Sequence, residues 1–217
     1  NDVSENAGHA GDAEEKQPWH KGPVKYIISA FLVLIIIAMV FPYYAIRLDP
    51  EPENIPKIED VWFDEYVSAN TTQSYTHLVK PTDSLIKQTA DRIAAQSCKL
   101  SKICQAKAIY YFVRDNIKYV SDPINEEYLE DPKEVLSTSA ADCESGSVLL
   151  ASMMEAIGID AQLVFIPGHA FIRIYLPKAR AKYKIDDYVY LDWTCRECEF
   201  GEIPYRDIKM QKTILEV

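Results

Sequence analysis

Residues 26–46 (YIISAFLVLIIIAMVFPYYAI) carry no charged side chain, and this run limits what the rest of the chain can be. A helix rises about 1.5 Å per residue, so about 20 apolar residues span a hydrocarbon layer of roughly 30 Å. Lys25 and Arg47 bracket the run, and Tyr26, Tyr43 and Tyr44 stand where an interfacial aromatic belt would lie. A buried core helix would be shorter and less uniformly apolar. A cleaved signal peptide would have an apolar region of about 7–15 residues followed by small residues at the cleavage site. The run therefore predicts a retained membrane helix, in which Pro42 is tolerable. Lys16, Lys21 and Lys25 precede it, whereas Arg47 is followed by Asp49, Glu51 and Glu53. The positive-inside rule then places the N-terminus in the cytoplasm and the C-terminal part outside.

On either side the organisation is simple. Residues 1–25 are polar, with Gly8, Gly11 and Gly22 and no hydrophobic period, and read as a disordered tail. Residues 47–57 are rich in proline and acid, which favours an extended spacer. Residues 58–217 are long enough for one domain with its own core. The chain's net charge is −10, and five acids against three bases put −2 of it in the first 25 residues, leaving −8 for everything after them. An acidic domain without a basic, aromatic-interleaved stripe excludes nucleic acid as a partner.

Within residues 58–217 the periodicity changes once. Thr82 or Asp83 can cap a helix over 84–97, with Leu85, Ile86, Ala90, Ile93 and Ala94 on one face. A second helix is expected over 102–117, with a stripe of Ile103, Ala106, Ile109, Tyr110 and Val113. Residues 122–139 read as loop with a short helix at 132–136, and a third helix over 144–157 stops at Gly158. Three strand-like runs follow at 161–166, 169–176 and 188–193. Pro167-Gly168 turns the first into the second, and a charged loop at 178–187 precedes the third. Helices followed by an antiparallel sheet indicate an α+β fold.

Cys143 falls immediately before the third helix. A thiol there meets the positive end of the helix dipole, which favours the thiolate, and the unpaired N–H groups of the first turn form a natural oxyanion hole. A lone cysteine at a helix start is more often packing than chemistry. His169 opens a strand directly after a Pro-Gly turn and could serve a nearby thiol as general base. Asp192, embedded in the strand YVYLDW, needs a partner if buried, and a neighbouring strand carrying His169 can supply one. Each residue alone is ambiguous; the three together point to a Cys-His-Asp arrangement.

The stretch ADCESGSVLLASMMEAIGIDAQLVF (141–165) resembles the nucleophile helix of the transglutaminase-like superfamily, with Gly158-Ile159-Asp160-Ala161 leading into a strand. HAFIRIYL resembles that family's His-Ala-aromatic strand, YVYLDWT its aromatic-x-x-Leu-Asp strand, and AIYYFVRDNIKYVSDP (108–123) the helix and loop preceding its cysteine. The resemblance spans about 82–194. It implies a papain-like core in which a helix presents Cys143 as nucleophile, His169 acts as base and proton donor, and Asp192 orients the imidazole. It also implies amide chemistry through an acyl-enzyme on a protein or peptide substrate; the calcium sites of the large cross-linking members have no visible counterpart among the scattered acids here, so no cofactor is expected. Asp142-Cys143 is similar to the Asp-Cys-Ser of peptidoglycan-cleaving cysteine peptidases too, but Glu144 interrupts that motif. Animal cross-linking members use an upstream tryptophan to help bind the oxyanion. No tryptophan lies between Phe63 and Cys143, and Tyr119 reads more simply as a core or loop residue than as its substitute.

Four cysteines remain: Cys98, Cys104, Cys195 and Cys198. Local disulfides Cys98–Cys104 and Cys195–Cys198 suit an oxidising compartment. A four-thiolate zinc site is the rival, with one spacing outside the usual pattern, and free thiols are the third option. Asn70-Thr71-Thr72 is a glycosylation sequon. Three function classes follow: a membrane-anchored thiol hydrolase or acyltransferase, a catalytically silent binding or adaptor module of the same fold, and a redox module using Cys195 and Cys198. The last lacks the βαβ setting of a thioredoxin-like site.

Overall fold

The computed structural model describes residues 23–61, 75–123 and 128–217, in two compact units, 1–45 and 46–217. Most of the N-terminal tail (1–22) and the sequon at Asn70 lie outside the described residues.

The first unit is the bulk of helix α1 (Val24–Leu48), which contains Pro42. Its segment Val24–Pro42 is long and apolar enough to cross a membrane by length and composition, and none of it is buried within the protein.

The second unit begins with the stretch expected as a spacer. The Asp49 side chain is nearly covered and pairs with Lys107, which also meets Glu51. Glu53 N–H donates to the Ser97 carbonyl, and Ile58 N–H to Asn116 Oδ1. These bonds tie residues 49–58, including the start of the short helix α2 (Ile58–Val61), along the domain. A one-turn helix α3 (Tyr75–Leu78) precedes the main bundle.

Helix α4 (Ser84–Ser97) starts at Asp83, whose carboxylate accepts from the Leu85 and Ile86 amides. Its buried face of Ile86, Ala90, Ile93 and Ala94 follows the sequence period. Helix α5 (Lys102–Asn116), capped by Ser101, is buried more widely than its stripe suggested, and even Lys107 is covered. After the two-residue strand β1 (Lys118–Tyr119) and helix α6 (Pro132–Thr138), strand β2 (Ala140–Ala141) pairs in parallel with β1. That pairing sets Tyr119 beside the entry to helix α7 (Cys143–Ala156).

Helix α7 is the centre of the domain. It is buried nearly all round, against α4, α5 and α6 on one side and the sheet on the other. It ends in a Schellman arrangement at Gly158 (φ +71), where Gly158 N–H meets the Glu155 carbonyl and Ile159 N–H the Met154 carbonyl.

Strands β3 (Ala161–Ile166) and β4 (His169–Tyr175) form a hairpin in which Ile166 pairs with His169. Pro167 and Gly168 (φ +74) make the turn, the residue types that fix φ in a two-residue loop. The charged loop holds a further short hairpin, β5 (Lys184–Ile185) to β6 (Tyr188–Leu191), turning through Asp186 and Asp187, both at positive φ. Beyond the one-turn helix α8 (Tyr205–Ile208), strand β7 (Thr213–Glu216), which the sequence pattern did not mark, pairs with β3. The sheet is antiparallel, in the order β5-β6-β4-β3-β7. Helices packed on an antiparallel sheet are the expected α+β architecture.

Candidate active site

The site forms where the start of α7 meets the adjacent ends of β4 and β6. Cys143 is the first residue of α7, because Asp142 caps the helix with its side chain on the Ser145 amide, 2.8 Å away. Cys143 is the one free cysteine, and it is buried. The other four form the disulfides Cys98–Cys104 and Cys195–Cys198, so the zinc alternative falls away.

β6 ends at Leu191, opposite Ile172, so Asp192 stands just past the strand rather than within it. This places its carboxylate at the start of β4, where Asp192 Oδ2 lies 2.9 Å from His169 Nε2. The other carboxylate oxygen accepts from the Thr194 amide and hydroxyl at 3.0 and 2.7 Å. Both oxygens of a fully buried carboxylate are thus satisfied and its direction fixed. The following turn is clamped in turn. The buried Tyr110 hydroxyl bonds the Asp192 and Cys198 carbonyls, Arg114 donates to the Cys198 carbonyl, and Cys195–Cys198 closes the turn.

Burial alone would lower the His169 pKa. Hydrogen bonds to Asp192 and to Cys143, with the negative charge on each, outweigh it and hold the imidazole up at about 10. Since Nε2 is engaged by Asp192, Nδ1 is the nitrogen left for Cys143. Cys143 Sγ also lies 3.6 Å from Glu144 Oε2, a carboxylate that opposes negative charge on sulfur.

Several neighbours had little or no sequence signal. Trp193 is fully buried, and its indole N–H reaches the Cys143 carbonyl at 3.4 Å. It fits against α7 only because residue 146 is glycine: a Cβ there would stand 2.2 Å from the indole ring. Ser147 Oγ donates to the Ala170 carbonyl and ties α7 to β4 next to His169. Tyr119 is neither core nor remote loop. It is half exposed, 6.3 Å from the Trp193 ring, and its pKa is raised by burial and then by the charges of Cys143, Asp142 and Glu144. Asp207 on α8 brings a second buried carboxylate near the histidine: ligand-type atoms of His169, Asp192 and Asp207 lie within 4.8 Å of one another. Asp192 is already engaged by His169 and Thr194, and Asp207 by Arg206 Nε at 3.0 Å.

An α+β domain with a cysteine at the start of its central helix, facing a His-Asp pair on the sheet, defines a transglutaminase-like fold. Residues 87–193, just under half of the chain, match the transglutaminase-like superfamily. Two solved structures are similar at 14% identity. One is a candidate cysteine protease from Cytophaga hutchinsonii (TM-score 0.40, covering 58% of this chain and 44% of that one). The other is a candidate protease from Parabacteroides distasonis (TM-score 0.39, covering 56% and 27%). The chain therefore spans less than half the length of either. No curated protein sequence matches it.

Proposed function

We propose that the domain is a membrane-anchored, thiol-dependent amide hydrolase or acyltransferase, with Cys143 as nucleophile, His169 as proton carrier and Asp192 as the acid that orients it. The observation that carries this reading is the His169 Nε2 to Asp192 Oδ2 bond of 2.9 Å, with Cys143 near enough to His169 to help raise its pKa. An imidazole held at about 10, raised by Asp192 and by Cys143, is protonated at neutral pH. The start of α7 also favours the thiolate, whereas Glu144 opposes it, so the ion pair rests chiefly on His169.

In this reading the thiolate adds to an amide carbonyl. The Cys143 N–H, in the first turn of α7, meets the oxyanion; the Ser145 N–H is already taken by Asp142. As the C–N bond breaks, His169 gives its proton to the leaving amine, and the acyl group stays on sulfur as a thioester. Water or an acceptor amine then attacks the thioester, loses a proton to His169 and restores the thiolate. Two further observations support placing the domain outside the cytoplasm, anchored by α1 with its N-terminus inside. These are the two disulfides, which suit an oxidising compartment, and the excess of lysine before the span.

Iodoacetamide alkylation of the full chain in detergent, near neutral pH, tests the chemistry. Cys143 should label fast, and at least about tenfold more slowly in His169→Ala, since the thiolate is the reactive form. Equal, slow labelling in both favours the second reading, a silent binding module, to which the buried Cys143 and the carboxylate of Glu144 lend weight.

A further inference from the structure

Beside His169 opens a cavity of 740 Å³ whose charge runs against that of the chain. The chain's net charge is −10, yet Lys118, Arg196 and Arg206 line this cleft, against the acids Asp192 and Asp207. Both acids are already matched, Asp192 to His169 and Asp207 to Arg206. Arg206 spends only its Nε on Asp207, and its side chain is 77% exposed, so the outer fork of the guanidinium is turned to solvent. Arg196 donates to the Ile117 carbonyl, a neutral acceptor that leaves its charge uncompensated. Lys118 is exposed, and among the described residues neither it nor Arg196 is ion-paired. Elsewhere on the domain many bases do find carboxylates, as in Lys80–Asp131, Lys133–Asp83 and Lys184–Asp187.

The cleft also has a definite place in the chemistry. His169 and Asp192 line it and Cys143 does not. In the reaction proposed above, the imidazolium proton goes to the leaving amine, so the amine portion of the substrate must reach the histidine. A cleft running outward from His169 receives that portion, and the acyl portion stays on the side of the sulfur.

We infer that the substrate is a peptide carrying a carboxylate on the amine side of the scissile bond, seated on Arg206, Arg196 and Lys118. This rests on the amide chemistry proposed above. The carboxylate is either a free C-terminus or an acidic side chain close to the cleaved bond; both offer the planar acceptor that a guanidinium fork fits. On cleavage, the thiolate forms its bond to the carbonyl carbon, the C–N bond breaks, and the proton of His169 passes to nitrogen. The released amine departs with its carboxylate still on the basic wall.

Binding can be read apart from turnover. The full chain carrying Cys143→Ala, in detergent micelles, is titrated against three fluorescent peptides of identical core sequence: one neutral and C-terminally amidated, one ending in a free carboxylate, one amidated with an internal Glu. At low salt an acidic probe should bind about tenfold or more tighter than the neutral one, by fluorescence anisotropy. The gap should shrink as salt rises. It should also shrink when Arg196→Gln and Lys118→Gln are added; Lys118→Gln alone, at an exposed position, gives the same direction if Arg196→Gln does not fold. The better of the two acidic probes identifies the source of the carboxylate. Equal or tighter binding of the neutral probe, a gap unmoved by Lys118→Gln, or no binding of any probe at millimolar concentration overturns the inference. Failure of the chemistry shows separately, as slow alkylation of wild-type Cys143.

Discussion

Gly146→Ala sets two known effects against each other, and the structure decides the sign. In a helix interior, alanine is favoured over glycine by about 1 kcal/mol, and Gly146 is the fourth residue of α7. On that ground alone the substitution should stabilise. Here the added Cβ would stand 2.2 Å from Cε2 and Cζ2 of Trp193 and 2.7 Å from its Nε1, where carbon contacts prefer about 3.5–4.0 Å. One partner must move by more than about 1 Å. Trp193 is fully buried and cannot swing into solvent, and α7 is the central helix. Overpacking of this kind costs about 1–3 kcal/mol, more where neither side yields. With neither side free to yield, the cost sits at the top of that range, so after subtracting the helix gain a loss of about 2 kcal/mol remains, or roughly 4–8 °C in Tm for a domain of this size. Because Trp193 follows Asp192 directly, the His169 pair should be displaced too, and misplacement of about 1 Å can slow chemistry about a hundredfold. Thermal unfolding of the full chain followed by near-UV circular dichroism measures the first effect, and iodoacetamide labelling of Cys143 the second. Trp193→Phe should partly relieve Gly146→Ala, giving a non-additive double-mutant cycle. If Gly146→Ala proved as stable as wild type and labelled as fast, the packing of Trp193 on α7 would be refuted.

Asp192→Asn should lower the His169 pKa from about 10 and weaken the pH dependence of stability that the raised value creates. That contribution is complete below the unfolded histidine value near 6.5 and is lost as pH rises through 10, so wild type minus variant stability, from Tm between pH 6.5 and 10, should fall across the window. Glu130 is the opposite case. Burial first, then the nearby charges of Asp142, Asp122 and Glu134, against a hydrogen bond from Ser145, push it up to about 7. The folded state therefore loses stability as pH climbs from the unfolded value near 4.5 to 7, and Glu130→Gln, neutral throughout, should gain on wild type over that interval and hold the gain above it. Asp49→Ala leaves the 1% exposed Lys107 with Glu51 as its remaining carboxylate and should cost about 3 kcal/mol in urea unfolding. Adding Lys107→Met should recover part of that loss, since an apolar side chain needs no partner.

Much of the fold was legible because local rules and tertiary demands agreed. Asp83, Gly158 and Pro167-Gly168 each impose a backbone geometry that needs no distant partner, and the helices and the β3–β4 hairpin start or stop at them. Period alone fell short where burial is two-sided: α5 hides Lys107 because Asp49 and Glu51 return along it from before the domain's first helix. β7 carried no clear alternation, and its pairing with β3 supplies hydrogen bonds only after the chain has folded back.

The site divides in the same way. By itself the sequence determined that Cys143 begins a helix, that His169 follows a fixed turn, that Asp192 lies within an apolar run, and that residues 26–46 suit a membrane, because each depends on neighbours in the chain. The tertiary structure alone decided that the Asp192 carboxylate meets His169 Nε2, that Trp193 needs a glycine at 146, that Tyr119 faces the site, and that Lys118, Arg196 and Arg206 gather beside the histidine. Those residues lie on α7, β4, the β1–β2 pair, the turn after β6 and α8, and no periodicity or spacing encodes a distance between separate elements. That distance is set when the sheet closes on α7 and the core fixes how far each element can stand from the next.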